Sequence, residues 1–374
     1  MQAFWIIGGI LGFFYSFLIL SFYYGWIKTK KFIPKVYSGT TFVSVIIAVR
    51  NEESNISDLL SDIIAQDFPK ENYEIIVIDD HSTDNTSVLV KEFYRKTNII
   101  HFLKLTDPFF GKKYAIQKGI HHARGNLIVT TDADCRMKNK WLLTIVSFYE
   151  TKKSKMIVGP VLINSGERIF AQMQSLEFLS LVGAGAGAIG IHKPIMCNGA
   201  NLAYEREIFL ENSDDLLTKF ASGDDVLFML KLKKRFRNDI SFLKSMEATV
   251  FSKAQFSLYD FYQQRKRWIS KSRAYNDLDV ILTAILVFII NFFLLFSFFG
   301  IFVNPFFTGI FISLFILKTI VDFVLLYSVS LFFNRKKWLR FFIPLQFIYI
   351  FYVSFITIPG NLGSFKWKGR GFKK

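Results

Sequence analysis

The chain has 374 residues, of which 51% are hydrophobic and 44 are Phe, and its formal net charge is +16. This apolar share exceeds what one soluble core needs, and it is concentrated in four stretches nearly free of charge: 4–20, 280–303, 306–333 and 341–358. Each approaches or exceeds the length of about 20 residues that crosses a bilayer. The sequence therefore predicts a membrane protein with a globular region inserted between its spans, which excludes an ordinary soluble domain.

The basic residues cluster beside the apolar stretches. Lys28, Lys30, Lys31 and Lys35 follow the first stretch, and another cluster stands at 334–340. Juxtamembrane Lys and Arg are attracted to anionic lipids, so we expect membrane lipids and no nucleic acid as partners. The first stretch lacks a basic segment before it and a small-residue cleavage site after it. By the positive-inside rule it is predicted to be an uncleaved anchor with its C-terminal side in the cytoplasm.

The two cysteines, Cys135 and Cys197, are too few for a disulfide framework. They fit a reducing compartment, in agreement with a cytoplasmic globular region.

The region after the anchor alternates between two kinds of pattern. Short β-branched runs predict strands at 42–49, 73–80, 99–105 and 126–134, and apolar residues at helical spacing lie between them at 56–64, 87–96 and 112–123. Strands that alternate with helices indicate βαβ units. The sequence therefore predicts an α/β domain with a mostly parallel sheet.

Acidic residues follow three of these strands. Glu52 comes after the first, Asp79 and Asp80 end the second, and Asp132 and Asp134 end the fourth. Ligands bind beyond the carboxyl ends of parallel strands, so the three groups are expected at one edge of the sheet.

The D-x-D pair, Asp132 and Asp134, suits a metal. In an extended chain the two side chains would point to the same side, about 7 Å apart. Carboxylate oxygens so placed are ligands for Mg²⁺ or Mn²⁺, which would be completed by water and substrate phosphates and would neutralise a departing diphosphate. For a D-x-D alone, a solvated turn is the alternative.

The stretch GAGAIG at 185–190 matches the dinucleotide-binding pattern G-x-G-x-x-G. That function needs a strand before the glycines and a helix after them. Here helical spacing precedes the stretch, and Pro194 follows it. We therefore expect close packing of small residues or a mobile loop.

A series of short motifs within about residues 41–275 resembles the membrane-bound family 2 glycosyltransferases. These include cellulose, hyaluronan and poly-N-acetylglucosamine synthases and ceramide glucosyltransferase. The matching stretches are SVIIAVRNEE, IVIDDHSTDNT, GKKYAIQKGI, TDADC, CNGANLAYERE, SGDDVLFMLKLKK and QRKRW. Ala48 stands where the family commonly has proline. The resemblance implies a GT-A catalytic domain.

The resemblance also implies roles for individual residues. Those expected to bind the donor are Glu52, Asp79, Asp80, Lys112 and Asp132. Lys112 would lie near the diphosphate. Asp134 would be the direct metal ligand, with Asp132 closer to the ribose or sharing the cation.

The remaining motifs imply the acceptor side of the site. Asp225 matches the catalytic base, which takes the proton from the acceptor hydroxyl, and Asp224 replaces the glutamate that commonly precedes it. The residues implied to close the site around acceptor or diphosphate are Asn201, Gln264, Arg267 and Trp268. By itself, QRKRW favours a basic amphipathic helix lying on the membrane, and both descriptions can hold together.

These residues predict an inverting, metal-dependent glycosyltransferase. The donor is a nucleotide sugar, with uridine favoured by the resemblance, and the acceptor is a lipid or a glycan at the cytoplasmic face. Two alternatives stay open: a processive polysaccharide synthase, and a non-catalytic membrane scaffold with a decayed transferase domain.

The expected organisation is an anchor at 1–25, a cytosolic GT-A domain at 41–275 that ends in an interfacial QxxRW helix, a membrane region of two to three helices at 279–358, and a basic tail at 359–374. We expect this protein in the cell (inner) membrane with the tail in the cytosol.

One ionisable pair stands inside an apolar stretch. Lys318 and Asp322 are four residues apart, so they can pair on one helix face. The pair would serve either structural neutralisation or contact with a lipid acceptor.

Overall fold

The computed structural model describes residues 2–34, 39, 41–212, 224–270, 274–362, 365–367 and 370–372, and for residue 224 and residues 356 onward it describes the backbone alone. The chain begins with a long helix, α1 (Gln2–Lys28). Its residues are apolar almost throughout. Within its most apolar segment of 18 residues, 22% of the residues are buried inside the protein.

Strands and helices then alternate as predicted. The elements are β1 (Val43–Val49), α2 (Ile56–Ile64), β2 (Tyr73–Asp79), α3 (Thr86–Lys96), β3 (Ile100–Lys104), α4 (Lys112–His122) and β4 (Leu127–Asp132). β1, β2 and β4 are short β-branched runs that are almost fully buried, and this composition favours the centre of a parallel sheet.

Shorter strands follow. The elements are β5 (Arg136–Met137), α5 (Trp141–Lys152), β6 (Met156–Val158), β7 (Val161–Asn164), α6 (Ile169–Gly190), β8 (Leu202–Glu205), α7 (Arg206–Asn212), α8 (Asp224–Phe236), β9 (Ile240–Phe242), β10 (Val250–Lys253) and α9 (Leu258–Ser270).

The C-terminal part is mainly helical, with α10 (Leu278–Gly300), α11 (Phe306–Phe332), α12 (Phe342–Leu362), β11 (Phe365–Trp367) and β12 (Arg370–Phe372). Among the described residues, four helices are long and apolar enough to cross a membrane: Gln2–Lys28, Leu278–Gly300, Phe306–Phe332 and Lys336–Phe355. These four candidate membrane spans coincide with the four apolar stretches of the sequence.

A seven-stranded sheet has the order β3-β2-β1-β4-β8-β6-β9. The first four strands are parallel, and β8 runs antiparallel to β4 and β6. Val49 is in register with Asp79, and Ala48 with Asp132. The predicted mostly parallel α/β sheet is confirmed, and β1, β2 and β4 end at one edge.

The two faces of the sheet have different partners. On one face, Val45 and Ile47 belong to a core that includes Leu59 and Ile145 of the flanking helices. On the other face, Ile46 and Ile128 belong to a core that continues into α1, α6 and α11. The sheet and the apolar helices thus share one hydrophobic core.

The GAGAIG stretch lies at the C-terminal end of α6, in contact with α1. A Cβ on Gly187 would lie 2.1 Å from the carbonyl oxygen of Phe22, and one on Gly25 would lie 1.9 Å from the carbonyl oxygen of Gly187. Side chains at these positions would hold the two backbones apart. The predicted small-residue packing is confirmed, and the alternative of a loop is wrong.

Candidate active site

A cavity of about 740 Å³ begins at the carboxyl edge of the sheet and continues between the apolar helices. The predicted residues that line it are Lys112, Asp132, Asp134, Asp225, Gln264, Arg267 and Trp268. Beyond them, the lining consists largely of apolar side chains from α6, α10 and α12, such as Leu181, Val287 and Val353. One space therefore connects the D-x-D edge with the interior of the helical region.

Lys112 is the first residue of α4 and points at the D-x-D. Gly111 precedes it with φ +101°, a conformation that glycine adopts readily and that turns the chain into the helix. The Lys112 ammonium pairs with Asp132 Oδ1. A lysine at a helix N-terminus, where the helix dipole is positive, favours an anion such as a diphosphate.

The D-x-D is a turn instead of extended chain. β4 ends at Asp132, and the Cys135 N–H donates to the Asp132 carbonyl over 3.1 Å. The expected separation of an extended chain therefore does not apply. Asp134 Oδ2 lies 3.4 Å from Ser252 Oγ of β10, and both carboxylates line the cavity.

The donor set fits a cation that is shared with a substrate. Within the described parts of the chain, no group of three or more His, Cys, Asp or Glu could hold a metal. Burial, and then the Asp134 and Asp132 carboxylates, raise the pKa of Cys135 well above its ordinary value, so its thiol stays protonated and is a poor ligand. Two carboxylates, water and the oxygens of a diphosphate suit Mg²⁺ or Mn²⁺.

Asp225 stands at the N-terminus of α8 and is fixed by Gly199. The Gly199 N–H donates to Asp225 Oδ2 over 2.9 Å, while the Gly199 carbonyl accepts from Thr130 Oγ1 over 2.8 Å. A Cβ on Gly199 would lie 3.4 Å from Asp225 Oδ2 and 3.6 Å from Lys112 Nζ. The candidate base and the candidate diphosphate-binding lysine thus flank the same glycine.

The acids that follow β2 do not line the cavity. Asp79 is 2% exposed, and its carboxylate accepts from the Ser82 N–H over 3.0 Å and from the Ser87 hydroxyl. Asp80 is equally buried, and its Oδ1 lies 3.2 Å from His81 Nδ1. In this structure Asp79 closes the turn between β2 and α3.

Glu52 and Asn201 also lie outside the cavity lining. Glu52 accepts from Asn55 Nδ2 over 2.6 Å. Asn201 accepts from Trp141 Nε1 over 3.0 Å, and its Nδ2 donates to two carbonyls, those of Pro160 and Ala248. The neighbouring Asn198, Gly199 and Ala200 line the cavity in its place. The side chain of Asp224 lies outside the described residues.

Several residues of the cavity were missed by sequence reasoning. Ser252 and Lys253 come from β10, which pairs with β5 after the D-x-D and with β7. Such long-range pairing leaves no local pattern. Arg265 lies within QRKRW, but the motif resemblance had singled out Gln264, Arg267 and Trp268.

The ionisable pair in α11 forms as predicted. Lys318 Nζ donates to Asp322 Oδ2 over 2.7 Å and to Gln346 Oε1 over 2.6 Å. The Tyr15 hydroxyl donates to the other Asp322 oxygen over 2.7 Å. This network joins α1, α11 and α12 and reaches the inner end of the cavity through Asp322. These hydrogen bonds fit a structural role in which the charges of Lys318 and Asp322 neutralise each other.

Comparison with known proteins identifies the globular region. Residues 44–211 match the model of a family described as glycosyl transferase family 2. The chain is similar to a poly-beta-1,6-N-acetyl-D-glucosamine synthase of Staphylococcus epidermidis, with 28% identity over 189 residues, which are 49% of this chain and 42% of that protein.

A second relative is a dolichyl N-acetyl-alpha-D-glucosaminyl phosphate 3-beta-D-2,3-diacetamido-2,3-dideoxy-beta-D-glucuronosyltransferase of Methanococcus voltae. Identity to it is 27% over 198 residues, which are 52% of this chain and 62% of that protein. The similarity thus spans about half the length of these relatives.

The fold is similar to that of a mannosyltransferase from Pyrobaculum calidifontis, solved in complex with GDP-Man and Mn²⁺. The TM-score is 0.57 at 18% identity, and the match covers 96% of this chain and 98% of that one. The predicted GT-A-like arrangement with apolar helices at both ends is thereby confirmed.

Proposed function

Because residues 44–211 of this chain form a glycosyl transferase family 2 domain, we propose that the protein moves a sugar from a nucleoside-diphosphate sugar to a lipid or glycan acceptor at the cytoplasmic face of the membrane. One observation carries the proposal. A single cavity is lined by Lys112, Asp132, Asp134 and Asp225 and continues between the apolar helices. Donor chemistry and access from the membrane therefore meet in one space.

The donor would bind at the D-x-D edge. Asp134, with Asp132, would hold Mg²⁺ or Mn²⁺ together with the diphosphate oxygens, and the cation would neutralise charge on the leaving group. Lys112 would add a second positive charge at the start of α4. GDP-Man and Mn²⁺ in the similar structure support a nucleoside diphosphate and a divalent cation, and the motif resemblance favours uridine as the base.

The reaction is a direct displacement. Asp225 accepts the proton of the acceptor hydroxyl, whose oxygen attacks the anomeric carbon on the side opposite the departing diphosphate. The configuration at that carbon inverts. Lys112 stabilises the charge that develops on the phosphate, while Arg267 supplies a permanently charged partner and Trp268 an aromatic face at the acceptor end.

The placement in the membrane follows the charges. We assign 1–25 to the anchor, 41–275 to the cytoplasmic domain, 279–358 to the C-terminal membrane region and 359–374 to the basic tail. The basic residues after the first span support the cytoplasmic side. α9 would lie at the interface, where its basic residues meet lipid headgroups.

Processive polymer synthesis is the second candidate. The similarity to the polysaccharide synthase and the lining of the cavity by Gln264, Arg267 and Trp268 favour it. A product with one added sugar would exclude it. The family match and the grouping of three carboxylates in one cavity argue against a non-catalytic scaffold.

The test uses the purified full chain in detergent with a panel of nucleotide sugars, Mn²⁺ and a membrane lipid extract. Released nucleotide is measured with and without EDTA. We expect metal-dependent release from one donor, and its loss in Asp225→Asn. Release from no member of the panel would overturn the proposed function.

A further inference from the structure

Arg265 of α9 is a buried cation whose hydrogen bonds are incomplete. It is 2% exposed, and its Nη2 donates to Glu177 Oε2 of α6. Its Nε and Nη1 are buried and have no acceptor among the described residues. Buried charged donors without acceptors are costly. A guanidinium in this state indicates that an acceptor is supplied by something other than the described chain.

The surroundings of Arg265 give the direction from which that acceptor comes. The guanidinium lies over the Trp268 ring at 4.2 Å and the Phe261 ring at 4.8 Å, and Phe261 packs against Tyr352 of α12 at 5.9 Å. It therefore lies where α6, α9 and α12 meet. Arg265 itself lines the cavity.

Two buried ion pairs of the helical region differ in whether their hydrogen bonds are complete. Lys318 and Asp322 complete their bonds with Gln346 and Tyr15. The Glu177–Arg265 pair leaves two guanidinium nitrogens without acceptors in the described chain. Burial raises the pKa of the Glu177 carboxyl even against the neighbouring guanidinium. Arg265 is thus the partner whose hydrogen bonds are incomplete in the described chain.

We propose that Arg265 binds the phosphate of a lipid whose hydrocarbon chain lies along α10 and α12. Guanidinium donors in a fork match phosphate oxygens. The apolar lining from residues such as Ala284, Val287 and Val353 suits a hydrocarbon chain and would give free phosphate nothing to contact. The inference rests on the proposed function in one respect, since that function makes this lipid the acceptor. The hydroxyl that gives its proton to Asp225 then belongs to a group that the lipid carries in addition to this phosphate.

Binding is tested without donor or metal, on the full chain in detergent, with farnesyl phosphate, farnesol and inorganic phosphate as separate probes. We expect wild type to bind farnesyl phosphate at least about tenfold more tightly than farnesol, because a charge-assisted hydrogen bond contributes that much. Arg265→Met should lose this preference while its farnesol affinity stays unchanged. Arg265→Lys should retain part of it.

Glu177→Gln is the matched variant, because it breaks the same ion pair from the other side. It should keep or strengthen the phosphate preference, since it removes the negative charge that competes with the phosphate for the guanidinium. A pair with only a structural role would make Glu177→Gln and Arg265→Met equivalent. Equal thermal unfolding and farnesol affinity establish that both variants are folded. If Arg265→Met does not fold, Arg265→Lys and Glu177→Gln decide.

The inference is also overturned by no preference for farnesyl phosphate over farnesol in wild type, by full preference in Arg265→Met, or by inorganic phosphate bound as tightly as farnesyl phosphate. Failure here and failure of the proposed function are distinguishable. Lipid phosphate binding without any sugar transfer would overturn the function alone, and transfer that is independent of Arg265 would overturn this inference alone.

Discussion

Two acidic pairs stand at the same edge of the sheet and have different surroundings. Asp79 ends β2 and Asp132 ends β4, on either side of β1 and nearly level in register. Asp79 is buried and bonded to its own turn, whereas Asp132 and Asp134 line the cavity. The segment after each strand makes the difference. After β2, the Ser82 N–H and the Ser87 hydroxyl donate to Asp79, whereas the tight turn after β4 leaves both of its acids lining the cavity.

Asp225→Asn should give the largest effect. The amide keeps the size of the side chain but cannot accept a proton, so transfer should fall at least about a hundredfold. Turnover at saturating donor and donor affinity are measured together, and the affinity should stay near wild type.

The exposed Asp239 at the other end of α8 provides a control, because Asp239→Asn should leave both quantities unchanged. Asp224→Asn should cost less activity than Asp225→Asn. A dead Asp224→Asn enzyme beside an active Asp225→Asn would assign the base to the other acid.

Asp134→Ala should remove the metal-dependent part of donor binding. The side chain lines the cavity, with its Oδ2 3.4 Å from Ser252 Oγ, and thermal unfolding in detergent checks that the variant is folded. Donor titration with Mn²⁺ and with EDTA should give one affinity instead of two. Asp67→Ala, at an exposed acid of another loop, should behave as wild type. Mn²⁺-dependent donor binding that persists in Asp134→Ala would show that other residues hold the cation.

Asp79→Ala should affect stability before catalysis. The change leaves the Ser82 N–H and the Ser87 hydroxyl without their acceptor, at a cost of roughly 1–3 kcal/mol. Thermal unfolding in detergent measures this loss, and Ser87→Ala should reproduce a smaller part of it. Unchanged stability together with weakened donor binding would instead support the role that the motif resemblance implies for Asp79.

The smallest effect is expected for Glu74, at the opposite end of β2, and it concerns stability at acidic pH. Burial alone would raise the pKa of this carboxyl, but hydrogen bonds from Ser44 and Arg124 outweigh it and hold the pKa below its ordinary value of 4.5. The ionised form is therefore favoured by folding. The contribution of Glu74 to the free energy of unfolding is complete above about pH 4.5 and is lost as the pH falls further.

Thermal unfolding of wild type and Glu74→Gln across that range measures the contribution. The difference in unfolding temperature between wild type and Glu74→Gln should become smaller as the pH is lowered. A constant difference would mean that the charge of Glu74 contributes nothing.

Much of the fold could be predicted because its signals are local. β-branched runs and helical spacing located β1 to β4 and α2 to α4 within a few residues, and the motifs within residues 44–211 predicted the family whose model matches those residues. The antiparallel β8 and the sheet β5-β10-β7 depend on pairing between distant segments. No periodicity in the sequence records such pairing.

The candidate active site could be predicted from the sequence to a similar extent. Lys112, Asp132, Asp134 and Asp225 were placed by motif and line one cavity. Asn201 was expected at the acceptor pocket, but its amide holds Trp141 and two carbonyls instead. Arg265 was overlooked because its importance comes from burial and from unmatched donors. Both of these properties exist only in the folded chain.

The core shared between the sheet and the apolar helices has a consequence for biosynthesis. α6 packs against α1, which leaves the ribosome early, and against α11, which is made more than a hundred residues later. The nascent domain must keep the surface for α11 apolar and uncovered until the C-terminal third has been translated and inserted. For the same reason, residues 41–275 expressed alone would expose that surface, and aggregation is the expected fate of the excised domain.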